Sequence, residues 1–146
     1  MTTPESHYVL CCERELRVEV WNPAASETLV LWHGLTRTGR DFRTLTTHLS
    51  PHYRLLIPDT LGRGHSQWAQ DPMKEYTVPF YMKQAVALLE HFQVERCSWI
   101  GTSMGRIMGM LLGATSLQKH LVGFVVNDIG PELPTGANHR IASYIS

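Results

Sequence analysis

Basic excess is the first thing this sequence lacks. Lys plus Arg totals 13 and Asp plus Glu totals 13, so the 146-residue chain is formally neutral. A protein that grips a polyanion needs surplus cations to displace condensed counterions, so no nucleic-acid partner is expected. Long apolar runs are also missing. No stretch reaches the roughly 18 apolar residues that span a bilayer. The start, Met1-Thr2-Thr3-Pro4-Glu5-Ser6, has neither a basic nor an apolar signal region. No membrane partner and a cytoplasmic location are therefore expected. Cysteine is scarce. Cys11, Cys12 and Cys97 are odd in number, two are adjacent, and none has metal-ligand spacing. Adjacent strand residues point to opposite faces, so a Cys11–Cys12 disulfide is not expected. The eight histidines are scattered, with no HxxxH or HxH cluster, and neither a metal nor a cofactor is expected. Its apolar content of 43% against 18% charged residues excludes intrinsic disorder.

What is present is a pair of alternating rhythms. His7–Cys12 and Glu15–Trp21 read as two short strands around a tight turn at Glu13-Arg14. In the second, Leu16, Val18 and Val20 alternate with Arg17 and Glu19, the period of a half-buried strand. Thr28–Trp32, Tyr53–Ile57, Cys97–Thr102 and Leu121–Asn127 are short and apolar throughout, as in strands covered on both faces. Thr38–Leu49, Phe80–Phe92 and Met104–Ala114 carry helical spacing; in the second, Tyr81, Ala85, Leu88, Leu89 and Phe92 share one side. Thr60–Pro79 reads as one long irregular loop, with Trp68, Tyr76 and Tyr81 as pocket or core residues. Strands alternating with helices predict an α/β fold: a mostly parallel twisted sheet of about six strands with helices on both faces. The short link between the first two strands forces that pair antiparallel.

The chemistry concentrates at Ser98-Trp99-Ile100-Gly101-Thr102-Ser103-Met104-Gly105. An apolar strand runs into a helix through G-x-S-x-G. A sharp strand-to-helix turn holds a serine in a strained conformation with its hydroxyl exposed above the sheet. Small residues two before and two after it let strand and helix approach. The helix N-terminus adds free N–H groups beside any oxyanion. Ser103 is thus the candidate nucleophile. A second segment, Thr28-Leu29-Val30-Leu31-Trp32-His33-Gly34-Leu35, runs from a buried strand into a His-Gly turn, and a third is Asp59-Thr60-Leu61-Gly62-Arg63-Gly64-His65-Ser66.

On these motifs the chain resembles the α/β-hydrolase fold family. The resemblance implies that the N–H groups of Leu35 and Met104 form an oxyanion hole, and that His33 shapes its loop rather than acting as a base. It implies a bracing role for Asp59, Arg63, His65 and Ser66. It also makes Val125–Glu132 similar to the sixth strand and its exit turn, with Asp128 as a candidate triad acid. His120 and His139 do not occupy the position of the family's histidine. In the family the acid and histidine come from later strands, so the resemblance covers an N-terminal half. Residues 1–133 are expected to form the core of the domain and 134–146 to begin a cap, the C-terminal part being absent. Arg106 departs from the family's small residue. The implied activity is hydrolysis of a small carboxylic ester by a serine nucleophile. The alternatives are an inactive core that serves as an interaction module, or a parent enzyme cleaving a C–C bond, lactone or amide. The implied partner is a second copy of the chain or the missing C-terminal half, because the apolar sixth strand is expected at an open edge.

Overall fold

A computed structural model describes residues 4–33, 43–101, 104–114 and 121–126. The chain opens with a hairpin, β1 (Glu5–Cys11) and β2 (Arg14–Trp21). Cys11 pairs with Arg14, leaving Cys12 and Glu13 as a two-residue turn with φ of 52° and 64°. Positive φ at both positions matches the right-handed twist of the flanking strands. The turn thus lies one residue earlier than the sequence suggests. Arg14 begins β2, and its guanidinium is held by a distant carboxylate, described below.

Next come β3 (Thr28–Trp32), α1 (Arg43–Leu49), β4 (Arg54–Pro58), a one-turn α2 (Pro72–Glu75), α3 (Val78–His91), β5 (Cys97–Gly101), α4 (Met104–Ala114) and β6 (Leu121–Val126). The strands form one sheet in the order β1-β2-β4-β3-β5-β6. β2 pairs antiparallel with β1 and β4; β3, β4, β5 and β6 are parallel to one another. The expected α/β sheet is therefore found. Inside the expected long loop, however, the structure adds α2 and starts α3 earlier. Pro79 sits in the first turn of α3, where its missing N–H costs no helical bond. Thr77 caps that turn, accepting from the Phe80 N–H at 3.3 Å.

The alternation of each strand decides which layer it feeds. Leu29, Leu31, Leu55, Ile57 and Ile100 form a core on one face, against Leu45 and Leu49 of α1. Val30, Trp32, Leu56 and Trp99 lie on the other, with Tyr81, Ala85, Leu88 and Leu89 of α3 and Met108 and Leu112 of α4. Both faces thus carry helices. Not all apolar side chains join them: Met73 and Met110 are exposed rather than filling the core.

Two polar clamps tie the hairpin to the segment after β4. Glu75 is only 5% exposed. Its Oε1 accepts from Arg14 Nε at 2.6 Å and its Oε2 from Arg14 Nη2 at 3.2 Å. The Asp71 and Gln70 N–H groups donate to the same carboxylate at 2.6 and 3.3 Å. The hydrogen bonds from Arg14 hold the Glu75 carboxyl below its ordinary value, with help from the two amides and against the opposing effect of burial. Gln67 completes the tie, exchanging bonds with both main-chain polar groups of Glu15.

A group whose folded pKa is depressed stabilises the fold above its unfolded pKa and ceases to do so as pH falls through the folded one. Urea midpoints measured from about pH 7 to about pH 3 should therefore decline more steeply in wild type than in Glu75→Gln, which starts lower. Parallel slopes would count against the clamp. The thiols provide a second test. Burial pushes Cys11 and Cys97 up to about 12, whereas Cys12 is exposed at the hairpin turn. An aromatic disulfide reagent should titrate Cys12 alone in the folded protein, and all three thiols in denaturant.

Candidate active site

The parallel strands place their carboxyl ends together. Trp32 closes β3 in register with Gly101, which closes β5. One residue pair earlier on the same face, Trp99 stacks under Trp32, with ring centroids 5.6 Å apart and planes 10° from parallel. The Trp99 indole N–H donates to the carbonyl of Gly105 at 2.9 Å, fastening the first turn of α4 back onto β5. The approach is close enough to exclude side chains. A Cβ on Gly105 would collide with the carbonyl of Trp32, and one on Gly101 with the Gly105 carbonyl and the Arg106 nitrogen. β5 ends at Gly101 and α4 begins at Met104. Met104 is the first residue of α4, and the first N–H groups of a helix have no partner within it. Ser103, Leu35 and Asp128 lie outside the described residues, as do His120 and His139.

His33 follows β3 directly and is fully buried. Its Nε2 lies 2.8 Å from the Thr60 N–H, which donates to it, and 2.8 Å from Thr60 Oγ1. The Trp32 indole N–H donates to that same Oγ1 at 3.0 Å. An amide donor aimed at Nε2 requires a lone pair there, so a neutral ring carries its proton on Nδ1. Nε2 is already engaged and cannot accept a proton from a serine. These bonds tie the residue after β3 to the first residues after β4. The sequence had not singled out Thr60.

The stretch after β4 is a brace. Asp59 is 2% exposed. Its carboxylate accepts the His65 N–H at 3.2 Å and lies 3.6 Å from the Arg17 guanidinium. The Ser66 hydroxyl donates to the Asp59 carbonyl at 2.5 Å and accepts the Arg17 N–H at 2.8 Å. Gly64 has φ of +54° and faces the Asp59 carboxylate where a Cβ would stand, so glycine alone fits. Arg63 donates to the Leu61 carbonyl at 3.0 Å and the Tyr81 hydroxyl at 2.8 Å. These polar groups are consumed in fixing the segment. Of the three aromatics near it, Tyr81 is core, Tyr76 is at the surface, and Trp68 is 76% exposed.

Arg106 is half-buried in the first turn of α4, where a cation opposes the helix dipole. Its Nε is buried without a hydrogen-bond partner among the described residues. No group of three or more His, Cys, Asp or Glu side chains able to hold a metal occurs among the described residues. No helix among them is long and apolar enough to cross a membrane.

Comparison with known proteins places this architecture. The family profile for the alpha/beta hydrolase fold matches residues 27–142. A 3-hydroxybutyrate-oligomer hydrolase of Cupriavidus necator is 44% identical over 125 residues, which is 85% of this chain and 42% of that protein. A crystal structure of an alpha/beta hydrolase from Novosphingobium aromaticivorans superposes with a TM-score of 0.80 at 36% identity, covering 99% of this chain and 50% of the other. An epoxide hydrolase of Vigna radiata shares the fold, with a TM-score of 0.79 at 20% identity, over 97% of this chain and 45% of its own. The chain spans half or less of the length of each of these proteins. With the strand order, the glycine-flanked turn and these likenesses in agreement, the chain belongs to the α/β-hydrolase fold family.

Proposed function

We propose that this chain carries the nucleophile and oxyanion donors of a serine hydrolase that cleaves carboxylic esters, with ester-linked oligomers of a small hydroxy acid as the substrate class. The observation that carries this reading is the closure around position 103. The Trp32 carbonyl occupies the place of a Cβ on Gly105, and Gly101 meets the backbone of the same helical turn. Such a closure supports a serine hydroxyl raised at the carboxyl edge of the sheet beside a helix N-terminus. The substrate class is supported by the relative that is 44% identical, whose name specifies a 3-hydroxybutyrate oligomer. Hydroxy acids join into oligomers through ester bonds. A cytoplasmic location belongs to the same reading and is supported by three free thiols, which suit a reducing compartment.

In this reading Ser103 Oγ adds to the ester carbonyl while the N–H groups of Leu35 and Met104 hold the oxyanion. A histidine takes the serine proton and delivers it to the leaving alcohol; water then attacks the acyl-enzyme by the reverse sequence. His33 is excluded as that base because its Nε2 already accepts from Thr60. We place the base in the length of the relatives that this chain does not span. The acid lies there too or is Asp128.

A fluorophosphonate probe should label the full-length protein, and Ser103→Ala should abolish labelling and lower ester turnover at least about 10³-fold. Labelling that survives Ser103→Ala would move the nucleophile elsewhere. No labelling and no turnover in wild type would favour an inactive core that serves as an assembly module. Gly105→Ala should reduce thermal stability and labelling rate together, because the new methyl must displace the Trp32 carbonyl; overpacking of this kind costs about 1–3 kcal/mol. A panel of ester, lactone and amide substrates would settle the bond cleaved.

A further inference from the structure

We propose that Arg106 receives the free carboxylate at the end of a hydroxy-acid oligomer and so selects acid-terminated esters over neutral ones. The inference deepens the reading above and rests on it: that reading supplies the ester and the hydroxy acid, and Arg106 decides which end of the oligomer is held.

The starting observation is an unmatched cation. Arg106 is half-buried, and its Nε is shielded from solvent with no hydrogen-bond partner among the described residues. The ion pairs printed among those residues engage His7, Arg14, Arg17 and Lys74, not Arg106. Arg54 is the contrast: its guanidinium donates to Thr28 Oγ1 at 3.0 Å and to the Phe92 carbonyl at 3.4 Å. A guanidinium keeps its charge at any ordinary pH, so Arg106 cannot relieve its burial by losing a proton. Its place adds a second penalty. Arg106 is the third residue of α4, in the first turn, where the positive end of the dipole repels a cation. One anion lifts both penalties, and a planar carboxylate is the anion that the fork of guanidinium N–H donors matches.

The backbone of Arg106 is held in place. Gly105 lies against the Trp32 carbonyl, and a Cβ on Gly101 would meet the Arg106 nitrogen. Helical side chains lean toward the N-terminus of their helix. The third helical residue is the one whose side chain reaches back to the residue before the helix. Before α4 that position is 103, the proposed nucleophile. A carboxylate on Arg106 therefore belongs to the part of the substrate next to the reacting ester. A linear hydroxy-acid oligomer, the substrate named for the 44% identical relative, ends in one free carboxylate. In a 3-hydroxy acid a short carbon spacer separates that carboxylate from the last ester bond. The terminal unit held by Arg106 is then the leaving alcohol, and the oligomer shortens from its carboxyl end.

The test uses the full-length protein with two probes, the linear dimer of 3-hydroxybutyrate and the methyl ester of that dimer, and reads the ratio of their kcat/KM values. Wild type should favour the free acid about 10–100-fold, the worth of a charge-assisted hydrogen-bonded pair. Arg106→Met, which keeps the apolar stem and removes the charge, should bring the ratio to within about twofold of one, and Arg106→Gln serves if that variant does not fold. Arg106→Lys, a cation without the fork, should retain part of the preference. A wild-type ratio near one, a preference that persists in Arg106→Met or Arg106→Gln, or a loss shared equally by both probes would overturn the assignment. p-Nitrophenyl butyrate separates the two levels. If wild type hydrolyses it but shows no preference between the dimers, only the role of Arg106 fails; if wild type hydrolyses no ester at all, the serine-hydrolase reading fails and this inference falls with it.

Discussion

The structure depends on one close approach: the first turn of α4 lies directly against the ends of β3 and β5. Gly105 sits on the carbonyl of Trp32, and Gly101 sits under the Gly105 carbonyl. Neither position admits a methyl group. The contact is made between backbones, so its geometry cannot drift as side-chain contacts can. It brings the first turn of α4 against the end of β3. The Trp99 indole then bonds the Gly105 carbonyl and closes the unit.

Beneath that unit lies a buried polar layer, which is an unusual use of a core. Trp32, His33, Thr60 and Asp59 are all inaccessible or nearly so, and each spends its polar atoms on a neighbour. A buried donor left without a partner costs about 1–3 kcal/mol, so such a layer tolerates few alternatives. Its value is specificity of position. Apolar packing between β3 and β4 would allow small slides of the segments that follow; directional bonds from Thr60 and Asp59 do not. Arg106 shows the opposite condition, a cation half-buried at a helix N-terminus with its Nε unmatched among the described residues.

Much of this was legible in the sequence, and the reason is local. Alternation in Glu15–Trp21 and continuous apolar runs in Thr28–Trp32 and Cys97–Gly101 follow from which faces are covered, and both patterns survive in the structure. The glycines at 101 and 105 were readable because a close approach leaves a mark at a single position. The bonds that reach across the chain were not. Thr60 pairs with residues 27 and 28 positions earlier, and Glu75 pairs with Arg14 across 61 positions. Nothing in the composition near Thr60 or Glu75 marks such partners. Nor does its apolar side chain mark Met73 as the surface residue it is, 88% exposed on a one-turn helix. Pro79 misled in another way. It reads as a loop residue until the Thr77 cap shows that a helix begins just before it.

The antiparallel hairpin is the element whose purpose the parallel sheet does not explain. A parallel sheet flanked by helices is already covered, and β1 and β2 add strands at its far side. Their contribution is to reach past the end of β4. Because β2 runs opposite to β4, its first residues extend beyond Pro58, which pairs with Val18. Arg14, Glu15 and Arg17 therefore stand alongside the segment that follows β4, and each holds part of it: Arg14 takes Glu75, Glu15 takes Gln67, and Arg17 takes Asp59 and Ser66. A strand running the other way would carry these residues to the opposite edge of the sheet. The hairpin is thus a buttress. It converts an irregular segment into a fixed wall, from which Thr60 holds His33.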